Sequence, residues 1–146
     1  MTTETIVFAC QVQATNNAVA LGLRVLLDQM PIFENANVTE TMQLQHEMSD
    51  ADGEHELTFE LFGKLPEHTK ITDTGEILSD AMLEINNMTL DGIELDQIVQ
   101  SLAVYHHDVN GTQALAHDKF YGSMGCNGIV TLKFTTPIYL WLLENM

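Results

Sequence analysis

At 146 residues, with 21 acidic side chains against five basic ones, the chain carries a formal net charge of −16. A field of that sign repels phosphate backbones and disfavours nucleic-acid binding, and no run of 18 apolar residues exists to make a membrane-spanning helix. The two cysteines, Cys10 and Cys126, lie too far apart in sequence to make a disulfide framework or a metal-ligand pair. The length suits one domain over residues 1–146 that buries about two-thirds of its unfolded surface. Met1 to Thr5 lacks the basic start and apolar middle of a signal peptide, so a cytosolic origin with reduced thiols is expected. The acids are scattered through turns and alternate positions, which suits a solubility surface better than an imitation of DNA.

Ile6, Phe8, Cys10 and Val12 share one face of a first strand, and Asn16-Asn17 ends it as a turn. Val19, Leu21, Leu23, Val25 and Leu27 then alternate with Ala18, Ala20, Gly22, Arg24 and Leu26. The alternation and Gly22 favour a second strand over the helix that Ala and Leu would support. Pro31 and Asn35 to Asn37 mark a loop before a third strand near Val38 to Met48. Ser49 to Glu54 is a polar turn leading to His55–Phe62, where Leu57, Phe59 and Leu61 oppose Glu56, Thr58 and Glu60. Together these residues give the best hairpin signal in the chain. Lys64 to Glu76, with Pro66 and Gly75, reads as a long connection between sheets. Leu83 and Ile85 begin a fifth strand that Met88 and Leu90 continue out of register, with a bulge at Asn86-Asn87.

Asp91-Gly92 is a two-residue hairpin signal, but Asp91 with Glu94 also reads as a capping box. Leu95, Ile98, Val99 and Leu102 repeat at helical spacing, so a short helix near residues 93–102 stands beside a strand reading. Tyr105 to Gly128 carries three histidines and little periodicity, and is expected to be a long loop. Ile129–Thr135 and Ile138–Leu143 close the chain as strands. The fold expected is all-β, mainly antiparallel: a β-sandwich or a jelly-roll-like arrangement of seven or eight strands.

Two sets of residues offer a ligand site. Tyr105, His106, His107, Asp108 and Asn110, with His117-Asp118 beyond, gather imidazoles and carboxylates suited to ligand binding or acid–base work. No metal-ligand spacing completes them. Asp50-Ala51-Asp52-Gly53-Glu54, Asp73-Thr74-Gly75-Glu76 and Asp91-Gly92-Ile93-Glu94 each place carboxylates around a glycine, the oxygen-rich setting Ca²⁺ favours, although tight turns use the same residues. A third candidate is a protein interface. In a closing strand Ile138, Leu140 and Leu142 would face the core, leaving Tyr139, Trp141 and Leu143 for another chain. Cys10 lies on an apolar strand face and reads as a small buried hydrophobe.

His55-Glu56-Leu57-Thr58-Phe59-Glu60-Leu61-Phe62-Gly63-Lys64 and the closing Asn127-Gly128 with Phe134 to Asn145 resemble small β-sandwich proteins encoded by tailed bacteriophages. The resemblance spans about a third of the chain and has no diagnostic motif. It implies a non-enzymatic virion subunit, of the capsid-decoration or tail-accessory kind, made in the host cytoplasm and then carried in the particle. Its partners would be proteins, either copies of itself or other subunits. Two alternatives follow from the candidate sites: a calcium-assisted carbohydrate-binding module using the Tyr105–Asn110 cluster, and a small hydrolase using its histidines.

Overall fold

The computed structural model describes residues 5–16, 19–64, 70–74, 77–79, 81–109 and 112–145. Strict alternation fixes the first layer. β1 (Thr5–Ala14) buries Ile6, Phe8, Cys10 and Val12, and pairs antiparallel with β4 (Met42–Ser49) on one side and β8 (Leu83–Leu90) on the other. The short strands β9 (Ile93–Glu94) and β12 (Ser123–Met124) both pair with β8 and complete this sheet. The second sheet has six strands. β2 (Leu21–Leu27), β3 (Met30–Val38), β5 (Gly53–Phe62), β10 (Val104–Val109), β11 (Thr112–Lys119) and β13 (Gly128–Thr136) lie in the order β11-β10-β13-β5-β2-β3. A separate two-stranded ribbon joins β6 (Lys70–Ile71) to β7 (Ile77–Ser79). Phe8 of the first sheet meets Phe59 of the second with ring centroids 6.2 Å apart, inside one continuous apolar core. The protein is therefore a β-sandwich. Full burial of each such core side chain contributes about 1.5–3 kcal/mol.

Two helices interrupt the strands: α1 (Asp96–Leu102), which buries Ile98 and Val99, and α2 (Ile138–Asn145), which buries Ile138, Trp141 and Leu142. The helix expected near residues 93–102 thus exists, starting a little later. Of the two signals at Asp91, the turn is realised and the capping box is not. Asp91-Gly92, with φ of +53° and +81°, makes the two-residue turn between β8 and β9. No side chain caps α1, and Asp91 turns its carboxylate to the Val7 N–H instead (3.3 Å). The bulge falls where it was expected: between Ala9 and Gln11 of β1 the register on β8 steps from Thr89 to Asn86, and Asn87 has φ of +51°.

Four expectations are corrected. β4 and β5 are not a hairpin, because β4 pairs with β1 in one sheet while β5 pairs with β13 and β2 in the other. Ser49 to Glu54 therefore crosses between layers, and an alternating strand on each side of a polar turn does not distinguish the two cases. Residues 30–38 form a strand, not a loop. β3 is an edge strand, where Pro31 costs no central ladder bond. Residues 105–128 are not a long loop, since β10 and β11 pair with each other and β10 extends to β13. Finally, Ile138–Leu143 is helical. Every position of that run is apolar, so a two-residue and a 3.6-residue period fit it equally well.

Candidate functional site

α2 is held by polar contacts at its start. Asp50, buried at the crossover, accepts the Ile138 N–H (2.8 Å), which caps one of the free donors of the first turn. Thr136, the last residue of β13, donates its hydroxyl to the Ala51 carbonyl, and His55 Nε2 lies 3.1 Å from the same hydroxyl oxygen. His55 Nδ1 in turn meets Asp28 Oδ2 at 2.8 Å, while Asp28 Oδ1 accepts the Glu56 N–H at 2.8 Å. Because the Thr136 proton is committed to Ala51, both ring nitrogens of His55 face acceptors. Burial raises the Asp28 carboxyl, but the hydrogen bonds from His55 and Glu56 and the His55 charge outweigh it and hold the group below the usual carboxylate value. This acid–imidazole–hydroxyl chain has the outline of a nucleophile relay. Thr136 is only 5% exposed, however, and its hydroxyl already donates to a carbonyl, so the chain works as a clamp.

The clamp sets which faces of α2 are covered. Trp141 packs edge-on against Phe134, centroids 6.0 Å apart, and is buried with Ile138 and Leu142. Tyr139, Leu140 and Leu143 point outward, 52%, 59% and 74% exposed. The helix thus keeps Tyr139 and Leu143 as surface candidates and exchanges the other two: Trp141 belongs to the core and Leu140 to the surface. A strand alternates, whereas a helix buries i, i+3 and i+4 together. Tyr139 donates to Asp91 Oδ2 (3.3 Å). At the end of α2, a groove of about 460 Å³ is lined by Glu94, Asp96, Gln97, Ile98, Ser101 and Asn145. A hydrogen bond from the protonated Glu94 carboxyl to Asp96, and the nearby Asp96 charge, hold the Glu94 carboxyl above its usual range. At the exposed apolar face itself, Asp91 beside Tyr139 and the exposed Glu144 on α2 supply carboxylates.

The second sheet divides the expected ligand cluster. Tyr105 lies in the core, 7% exposed, its hydroxyl accepting the Cys126 N–H (2.9 Å) and donating to the Cys126 carbonyl. His107, on the same side of β10, stacks on Tyr105 at 4.4 Å and meets Asp118 through Nε2 at 2.8 Å. His106 faces the opposite way, next to its cross-strand partner His117, centroids 6.1 Å apart. The three imidazoles therefore do not converge, and convergence is what the hydrolytic alternative requires. Asp108 of β10 is paired through its backbone with Leu115 of β11, its side chain being outside the described set, and Asn110 lies outside the described residues.

A second groove, of about 480 Å³, opens at this place, with Glu60, Phe62, His106, His117, Asn127 and Gly128 among its lining residues. Two glycines shape it. A Cβ on Gly128 would stand 2.1 Å from the His106 carbonyl oxygen, so β13 approaches β10 more closely than any side chain permits. Gly22, opposite Phe62 in the ladder, leaves room for the Phe62 ring, which would lie 2.3 Å from a Cβ there. Arg24 stands over that ring (5.4 Å to the centroid) and bridges Glu34 (3.1 Å) and Glu60 (2.6 Å).

Of the three acidic turns, the first spends Asp50 on α2 and the third spends Asp91 on Val7 and Tyr139. Gly75 and Glu76 of the second lie outside the described residues. Among the described residues no three His, Cys, Asp or Glu side chains gather as a metal cage. Burial pushes the Cys10 thiol up to about 12, so it stays protonated and inert. Sequence reasoning missed Asp28, His55, Thr136 and the buried Lys64, whose ammonium donates to the Ala81 and Gly125 carbonyls (both 2.7 Å). Only a polar residue at an inward strand position signals any of them, and His55, continuing the inward series of Leu57, Phe59 and Leu61, is the legible case.

No family model and no curated protein matches the chain. Among solved structures, it is similar to one described as vCBM60 in complex with galactobiose, with 11% sequence identity and a TM-score of 0.47. That likeness covers 86% of this chain and 96% of the other.

Proposed function

We propose that this β-sandwich is a contact subunit of an assembly, docking through the outward face of α2. Its most concrete form is the phage virion subunit that the sequence resemblance implies. The observation that carries the reading is Tyr139, Leu140 and Leu143 standing together in solvent on a helix whose other face is already full. Large apolar side chains grouped on a surface mark interaction sites more often than isolated ones do. The carboxylates at this face add a condition: copies of this chain approaching face to face repel one another until salt screens Asp91 and Glu144. In light scattering, the wild-type chain should therefore gain mass with concentration in high salt. Leu143→Glu should stay monomeric there with an unchanged melting temperature. A wild type that remains a monomer in every salt would remove the self-assembly form of the proposal.

A carbohydrate-binding module is the second reading, favoured by the groove beside β10. There Phe62 offers apolar surface, and Glu60, Asn127 and the imidazoles of His106 and His117 offer hydrogen-bonding groups around it. Oligosaccharide titration followed by calorimetry, with Ca²⁺ and then with chelator, tests it. Heat that disappears in Phe62→Ala would place carbohydrate first.

A further inference from the structure

We infer that His106 and His117 form a binding site for a borderline divalent transition-metal ion such as Zn²⁺ or Cu²⁺, with open coordination positions turned into the groove. The inference is independent of the docking role given to α2.

The two residues are direct partners across the antiparallel β10–β11 ladder, so their Cβ atoms are held on one face by two paired backbones. Both side chains are exposed, and their ring centroids stand 6.1 Å apart with planes inclined by 37°. Metal–nitrogen bonds of about 2.0–2.1 Å place the centroids of two imidazoles sharing one ion about 5–6.5 Å apart, across the range from tetrahedral to trans angles. The observed separation falls inside that range. Neutral imidazole suits Zn²⁺, Cu²⁺ and Ni²⁺, whereas Ca²⁺ and Mg²⁺ require oxygen donors. This is why the pair is distinct from the calcium turns considered from sequence.

Two protein ligands leave at least two positions free. Both histidines line the groove that also holds Glu60 and Asn127, so those positions face a space of about 480 Å³ and not bulk solvent alone. Water would fill them, or the oxygen atoms of a ligand lying in the groove. The neighbouring His107 does not compete, since Asp118 engages its Nε2.

The test uses the untagged full-length chain. Retention on immobilised Ni²⁺ and calorimetric titration with Zn²⁺ should both show one site in the wild type. His106→Gln and His117→Gln should each abolish the site, while His107→Gln retains it. Both positions are exposed, so circular dichroism and the melting temperature without metal should match the wild type, which separates lost binding from lost fold. Binding that survives in either His106→Gln or His117→Gln, or no Zn²⁺ heat in the wild type, would overturn the inference.

Discussion

At the scale of single residues, the helix at the end of the chain separates fold from contact. Trp141 is 5% exposed and packs on Phe134, so Trp141→Ala should cost about 3–5 kcal/mol, as large aromatic deletions in cores do. Leu143→Ala, at a position 74% exposed, should change stability by no more than about 0.5 kcal/mol. Urea unfolding of the two variants measures the contrast, and a small loss for Trp141→Ala would contradict the packing of α2. Asp28 gives a pH-dependent counterpart. Its carboxyl titrates lower in the folded chain than in the unfolded one. The stability it contributes is therefore complete above the unfolded value of 3.8 and is lost as pH falls through the folded value. Its side chain is 45% exposed, so solvent screening limits the effect to about 1 kcal/mol or less. Asp28→Asn should lower the urea midpoint at pH 7 and flatten the acid limb of the wild-type curve below about pH 4. An unchanged acid limb would mean that Asp28 does not hold His55 in solution.

At the scale of elements, Gly22 and Phe62 form one unit across the β2–β5 ladder. Gly22→Ala drives a methyl group into the Phe62 ring, displacing it from Arg24, and should cost about 1–3 kcal/mol by overpacking. In a Phe62→Ala background that clash is gone, and Ala at position 22 should be neutral or stabilising by about 0.5–1 kcal/mol, since glycine weakens strand interiors. A double-mutant cycle in denaturant reads the change of sign, and simple additivity would show that the ring does not lie over Gly22. The same scale shows what the sequence could disclose. Strands half-buried against one core, such as β1, β5 and β13, announce themselves because their inward residues alternate with polar ones. The Asn86-Asn87 bulge and the Asp91-Gly92 turn were legible because each needs residues that accept positive φ. α2 was misread because six apolar residues in a row carry no period. β3 was misread because an edge strand accepts Pro and Asn that a central strand would refuse. The two-sheet crossover at Ser49–Glu54 was hidden because pairing partners are a tertiary choice. The site followed the same logic: exposed Tyr139 and Leu143 could be named from sequence, but which neighbour joined them depended on helix against strand.

At the scale of the whole molecule, the charge balance is the governing quantity. Of the five basic residues, Arg24 is spent on Glu34 and Glu60, and Lys64 is buried on backbone carbonyls. The net charge of −16 therefore leaves a surface that repels itself, a term that destabilises the compact state at low ionic strength. Raising NaCl from about 0.01 M to about 1 M shortens the screening length from about 30 Å to about 3 Å. Repulsion between distant carboxylates should then vanish, while the exposed Arg24 pairs, already weakened by solvent, lose little. The melting temperature should rise steadily with salt. Association through α2 would raise it too, but by mass action, and would make it depend on protein concentration. Leu143→Glu separates the two causes: in that variant the salt-dependent rise should persist and the concentration dependence should disappear. A melting temperature that falls with salt in both chains would mean that the few ion pairs outweigh the sixteen excess charges, and the acidic surface would then have to be paired far more completely than Arg24 and Lys64 allow.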